Sequence, residues 1–171
     1  MEEFNIQMEK ANRLNEITQR IGFALWQMQE LEGVSAQYFV LAAQAEKRMG
    51  EVVGNALVEE ARKKTFGRTI HRISKQGLLS TKLKDRFFNL LSERNWLVHR
   101  SRADSRDAIH SDEAMQKLVA RIDAMANESL SLLREVGSLS MAFVKKHGVT
   151  EKYIYQKAEE LLRQWHESEE I

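Results

Sequence analysis

A chain of 171 residues with no Pro, no Cys and eight Gly is long enough for one domain with its own core and short for two. Without Pro, few positions force the backbone out of a helix, and without Cys neither a disulfide framework nor a thiolate metal site is available. The net charge of +1 hides a strong polarisation: residues 62–106 carry 13 Lys/Arg against 3 Asp/Glu, and the rest of the chain 13 against 22. A basic block of this density suits a phosphate backbone, although exposed helix faces also favour Lys and Arg. The amino terminus, Met1-Glu2-Glu3-Phe4-Asn5, is acidic and polar where a secretory signal is basic and then apolar. No apolar run approaches the ~20 residues that a bilayer crossing needs, so a cytoplasmic protein with no membrane partner is expected.

Apolar side chains recur at helical spacing from about residue 5 to residue 50, at Leu14, Ile17, Ile21, Leu25, Met28, Phe39 and Ala43. This predicts one long helix or two collinear ones. Continuing the stripe by steps of three and four places Glu32 at the centre of the apolar face. An unpaired buried charge is costly, so Glu32 is expected either to hold a proton or to meet a cation, for which Arg94 is the candidate. Two alternatives stand beside it. Glu30 takes the role from a face shared with Phe23, Trp26 and Val34, or the helix breaks near Gly33 and Glu32 reaches solvent.

Gly50 and Gly54 interrupt the pattern, and Glu51 to Lys63 reads as a shorter connecting helix. Thr65 opens another helix with Ile70 and Ile73 inward and Gly77 as its stop. The outer face of that helix presents Arg68, His71, Arg72 and Lys75, which are either phosphate contacts or solvated surface residues. Ser80 or Thr81 caps the next helix, whose apolar face holds Leu83, Phe87, Leu90, Leu91, Leu97 and Val98.

Near the end of that helix lies the segment richest in reactive groups, Glu93-Arg94-Asn95-Trp96-Leu97-Val98-His99-Arg100-Ser101-Arg102. The Arg94 guanidinium can fork two hydrogen bonds onto phosphate oxygens, and His99 is the side-chain type that titrates near neutrality. Asn95 precedes His99 by four residues, so on a helix the amide can hold one ring nitrogen while the other does chemistry. Arg94 and His99, five apart, stand about 140° from each other on an ideal helix. Either the helix distorts, or the working site is assembled from two copies of the segment across a two-fold interface.

Arg94-Asn95-Trp96-Leu97-Val98-His99 resembles the Arg-x4-His signature of the HEPN superfamily. The resemblance implies an all-α antiparallel helical bundle, a homodimer with both motifs in one cleft, and a metal-independent endoribonuclease. Arg94, His99, Asn95 and Glu32 are then the catalytic set, with no metal and no cofactor. Glu32 takes the place of the acidic residue that several ribonuclease members carry on the first long helix. The resemblance also suggests a toxin or antiviral effector restrained by an antitoxin or a sensor protein. One branch of the family carries a Tyr two residues after the His; here that position is Ser101, which argues against adenylylation at that point.

Residues 100–110 lack apolar periodicity and are expected to form an exposed, mobile loop in which Arg100, Arg102 and Arg106 grip RNA. Arg68, Arg72 and Lys75 complete the expected RNA-binding set. Ser111, Asp112 and Glu113 start a single helix to about His147, roughly 50 Å long at 1.5 Å per residue. Gly148 ends it, and Thr150 caps a last helix with Ile154, Ala158, Leu161, Leu162 and Trp165 on one edge. That edge is expected to pack on the bundle or on a second subunit, and the tail Glu167 to Glu170 to fray. One domain thus spans 1–171, with a bundle core over about 14–147 and an accessory helix over about 150–167. No two His stand at helical ligand spacing, and Asp107, His110 and Asp112 form at best a chance cation site. Trp26, Trp96 and Trp165 are expected in the core or an interface, with base stacking left open for Trp96. Beside the endoribonuclease stand a non-catalytic module of the same fold that binds RNA, a nucleotide or a protein, and a purely structural helical dimer.

Overall fold

In the computed structural model, which describes residues 2–46 and 48–168, the first helix, α1 (Glu2–Ala43), runs through Gly33 without a break. Its buried positions, Ile17, Ala24, Met28, Leu31, Ser35 and Phe39, follow three- and four-residue steps, so one stripe faces inward along most of its length. The matching partner is α6 (Asp112–Lys146), which buries Met115, Leu118, Ile122, Met125, Ser129, Leu132 and Val136 in the same rhythm. Such a repeat lets two helices interlock side chains along a shared seam. Arg13 reaches Asp112 at 2.6 Å and Arg20 reaches Asp123 at 2.6 Å. These rungs advance together, so α1 and α6 run in the same direction. The first turns of α1 precede the start of α6, which leaves Phe4, Ile6 and Met8 exposed.

Between the two long helices the chain makes α2 (Glu51–Arg62), α3 (Phe66–Lys75) and α4 (Thr81–His99). The α3 cap is Thr65, whose side chain accepts the Arg68 N–H, and the α4 cap is Ser80, which accepts that of Leu83. The turn between them uses Gly77 at φ 68°, with the Leu78 N–H bonded to the Ile73 carbonyl, a helix end that needs a residue free of a Cβ. α4 runs against α6. Arg86 forks onto Glu128 at 2.6 and 3.0 Å and also meets Glu135, while Arg121 forks onto Glu93 at 2.7 and 2.9 Å. The antiparallel order expected of the bundle therefore holds for α4 with α6 but not for α1 with α6. Phe87, Leu90 and Leu97 of α4 close the core against α3 and α6.

The segment 100–110 is mostly exposed, as expected, but it is not the irregular loop that its missing periodicity suggested. It forms α5 (Ser101–Asp104) and a single 3-10 turn, Arg106–Ile109. Two short turns cannot display a helical period, yet each buries one small residue, Ser101 and Ala108. The Ser101 hydroxyl donates to the Leu97 carbonyl at 2.6 Å, so this position faces inward. The last helix, α7 (Glu151–Ser168), is joined to α6 by the Lys145–Glu151 ion pair. Apart from the half-buried Ile154 its apolar edge is open, with Leu161, Leu162 and Trp165 exposed. Within this chain it does not pack on the bundle, and Glu169 and Glu170 lie outside the described residues. Among the described residues there are seven α-helices, no strand and no helix long and apolar enough to cross a membrane.

Candidate active site

The α4 helix divides its signature between two faces. Glu93, Trp96 and Leu97 turn toward α5 and α6: Glu93 holds Arg121, Leu97 is buried, and the Trp96 indole N–H donates to Asp104 at 2.8 Å. The Arg121 guanidinium lies 3.4 Å above the Trp96 ring. With one face covered by Arg121 and its N–H held by Asp104, Trp96 clamps α4 to α5 and α6. Trp96 packs half-buried against the core, whereas Trp26 is 68% exposed and Trp165 78% exposed, which leaves an interface as the remaining expectation for those two. Neither helix has a neighbour over the face that carries them.

Arg94 and Asn95 turn the other way. They line a cavity of about 430 Å³ whose remaining walls are Thr65, Phe66, Gly67, His71, Phe88 and Leu91. The cavity thus lies where the start of α3 meets the last turns of α4. His71 stands edge-on to Phe88 with ring centroids 5.1 Å apart and planes at 85°. The Lys84 ammonium sits 6.0 Å from the centroid of the same Phe88 ring. His71 and Lys84 are site neighbours that the reading of α4 alone missed. The signal was present in the sequence, since Gly67 and His71 are one helical turn apart, as are Lys84 and Phe88.

Glu32 lies behind this cavity, within an unbroken α1 and half-buried. Burial pushes its carboxyl above the ordinary value, and two features pull it back, first the Arg94 charge and then the backbone N–H of Phe66, which donates to it. Arg94 acts here through space, with no direct ion pair. Glu30, the alternative, is exposed. The raised value fixes the sign of a pH effect. A carboxyl that binds its proton more tightly in the folded chain loses stability as pH rises from the ordinary carboxylate range through the raised value. Relative to wild type, Glu32→Gln is therefore expected to gain thermal stability across that interval and to lack the step. Melting curves at stepped pH check this, and a gain that grows toward acid pH would contradict it.

His99 ends α4 one turn beyond Asn95 and is exposed; it does not line the Arg94 cavity, and no hydrogen bond joins it to Asn95. The straight helix keeps the angular separation of Arg94 and His99 that their spacing imposes. Val98, expected to anchor the segment in the core, is 48% exposed, so the last turn of α4 presents an open apolar and imidazole surface.

The basic residues fall into separate groups. Arg68, Arg72 and Lys75 are exposed on α3, with Arg72 also resting 4.3 Å above the Phe39 ring. Arg100 is exposed at the end of α4. Arg102 and Arg106 border a different groove of about 640 Å³, with Leu14, Ile17, Ile21, Ile109 and Leu118 as its apolar lining. Leu14, expected inward, is 54% exposed there because the groove is open. Asp112 is engaged by Arg13, and no cluster of three potential metal ligands occurs among the described residues. The chain matches no family model, no curated protein and no solved structure.

Proposed function

We propose that the protein is a metal-independent endoribonuclease of the HEPN type, with Arg94 at the phosphate. The observation that carries this reading is the grouping of Arg94 and Asn95 of α4 with His71 of α3 around one cavity, with Glu32 behind Arg94. A guanidinium held at a cavity wall stabilises the extra negative charge on a phosphorane-like transition state. RNA is the substrate because its 2′-hydroxyl serves as the internal nucleophile, giving a 2′,3′-cyclic phosphate and a 5′-hydroxyl. His99 exchanges a proton with one of the reacting oxygens, and Asn95 positions the substrate or the ring.

Because His99 lies outside the Arg94 cavity of its own chain, the reading requires a second copy. The exposed Val98 and His99 leave the end of α4 open for one. A homodimer that joins the two α4 ends brings four groups into one cleft. Arg68, Arg72, Lys75, Arg100, Arg102 and Arg106 carry the strand on either side, and restraint by an antitoxin or a sensor fits an enzyme of this kind. His99→Ala is expected to lower the rate roughly 10²–10⁴-fold while leaving the melting temperature unchanged. Cleavage of total RNA by matched wild-type and variant preparations, with chelator present, checks it; a variant that cuts at the parent rate rejects the role of His99.

The position of His99 also favours a second reading, a module that binds RNA in the Arg94 cavity without cutting it. Salt-sensitive RNA binding without any cleavage product separates this from the first.

A further inference from the structure

Attack of a 2′-hydroxyl on the adjacent phosphorus requires two proton movements, on oxygens that lie on opposite sides of the phosphorus. The α4 segment supplies one imidazole per chain, and that imidazole stands one turn outside the cavity. A different imidazole stands inside it. His71 projects from α3 into the same cavity as Arg94 and Asn95, and its edge-on packing against Phe88 at 5.1 Å fixes the plane of its ring. It remains exposed, so a substrate atom can reach it.

We propose that His71 is a second proton-transfer residue of this site, acting opposite to His99; the proposal rests on the ribonuclease reading above. In the step, one imidazole takes the proton of the 2′-hydroxyl as the O2′–P bond forms. The P–O5′ bond breaks, its electron pair leaves with O5′, and that oxygen takes a proton from the other ring in its imidazolium form. The products are the 2′,3′-cyclic phosphate and the 5′-hydroxyl, and the two rings have exchanged protonation states. Arg94 neutralises the phosphate between them. Lys84 and Arg94 flank His71 from α4, and Arg68, Arg72 and Lys75 share its own helix. The half-buried Glu32 of α1 stands against Arg94 and the Phe66 N–H behind the cavity. The cationic excess suits a ring that works against a phosphate.

The test uses the full chain, a fluorogenic RNA oligonucleotide and excess chelator, with rates taken from acid to alkaline pH. His71→Phe keeps a ring against Phe88 and cannot carry a proton; His71→Gln keeps polarity. Both variants are expected to lose roughly 10²–10⁴-fold in rate and one limb of the bell-shaped pH profile, with RNA affinity and melting temperature held. Restoration of activity by the Phe variant would show that the ring only packs, and would overturn the proposal. So would full rate with both limbs intact in either variant. If the wild type cuts and Arg94→Ala does not, an unaffected His71→Phe removes His71 alone. If the wild type does not cut, the ribonuclease reading falls and His71 with it.

Discussion

Arg94→Ala is expected to cut the rate of RNA cleavage by roughly 10²–10³-fold, the loss typical of removing one preorganised donor to a transition-state charge. It has a second consequence on stability. Without the Arg94 charge, the half-buried Glu32 keeps only the Phe66 N–H to offset its burial, so its carboxyl moves higher still. The variant is therefore destabilised most above that higher value, where the carboxylate is ionised in the unfolded chain. Arg94→Lys separates the two effects. An ammonium restores much of the charge beside Glu32 but not the planar fork that matches two phosphate oxygens. The Lys variant should recover stability and remain slow. Single-turnover rates paired with thermal denaturation at several pH values check this, and Arg94→Ala with undiminished turnover would remove the guanidinium from the mechanism.

Phe87→Ala is expected to cost about 3–5 kcal/mol of folding stability, the range for truncating a fully buried aromatic side chain. Phe87 is 0% exposed and meets Phe66 edge-to-face, with centroids 6.1 Å apart. The loss reaches the candidate site because Phe66 is the first residue of α3, lines the Arg94 cavity and directs its N–H to Glu32. For a chain of this length each kcal/mol lowers the melting temperature by roughly 2–4 °C, so a fall of about 10 °C is expected. Denaturant titration measures the free energy, and a loss below about 1 kcal/mol would contradict the packing role of Phe87. Its neighbour Phe88 faces the cavity instead, so one pair of adjacent aromatics serves both the core and the site.

Much of the helical order could be read from periodicity because long amphipathic helices declare themselves. The bounds of α6, the Ser80 and Ser111 caps and the stop at Gly77 follow from local chemistry that the fold preserves. Glu32 was legible for the same reason, as a charge at an apolar position whose compensating cation had to come from elsewhere. Direction and partnership were not legible. Nothing local reveals that α1 and α6 run the same way, that the indole of Trp96 is covered by Arg121, or that α7 leaves Leu161, Leu162 and Trp165 open. The short turns of residues 101–109 escaped because one buried side chain per turn makes no pattern. His71 escaped as a cavity residue because its relation to Arg94 arises only where α3 meets α4.

The placement of Arg94 in a cavity, with His99 outside it, makes the chemistry of the cut the deciding quantity. Wild-type protein incubated with RNA in excess chelator, followed by analysis of the new ends, tests it most directly. Fragments ending in a 2′,3′-cyclic phosphate, with a 5′-hydroxyl on the downstream piece, are the predicted products. Intact RNA, cleavage that appears only with added Mg²⁺, or fragments bearing a 3′-hydroxyl and a 5′-phosphate would contradict it.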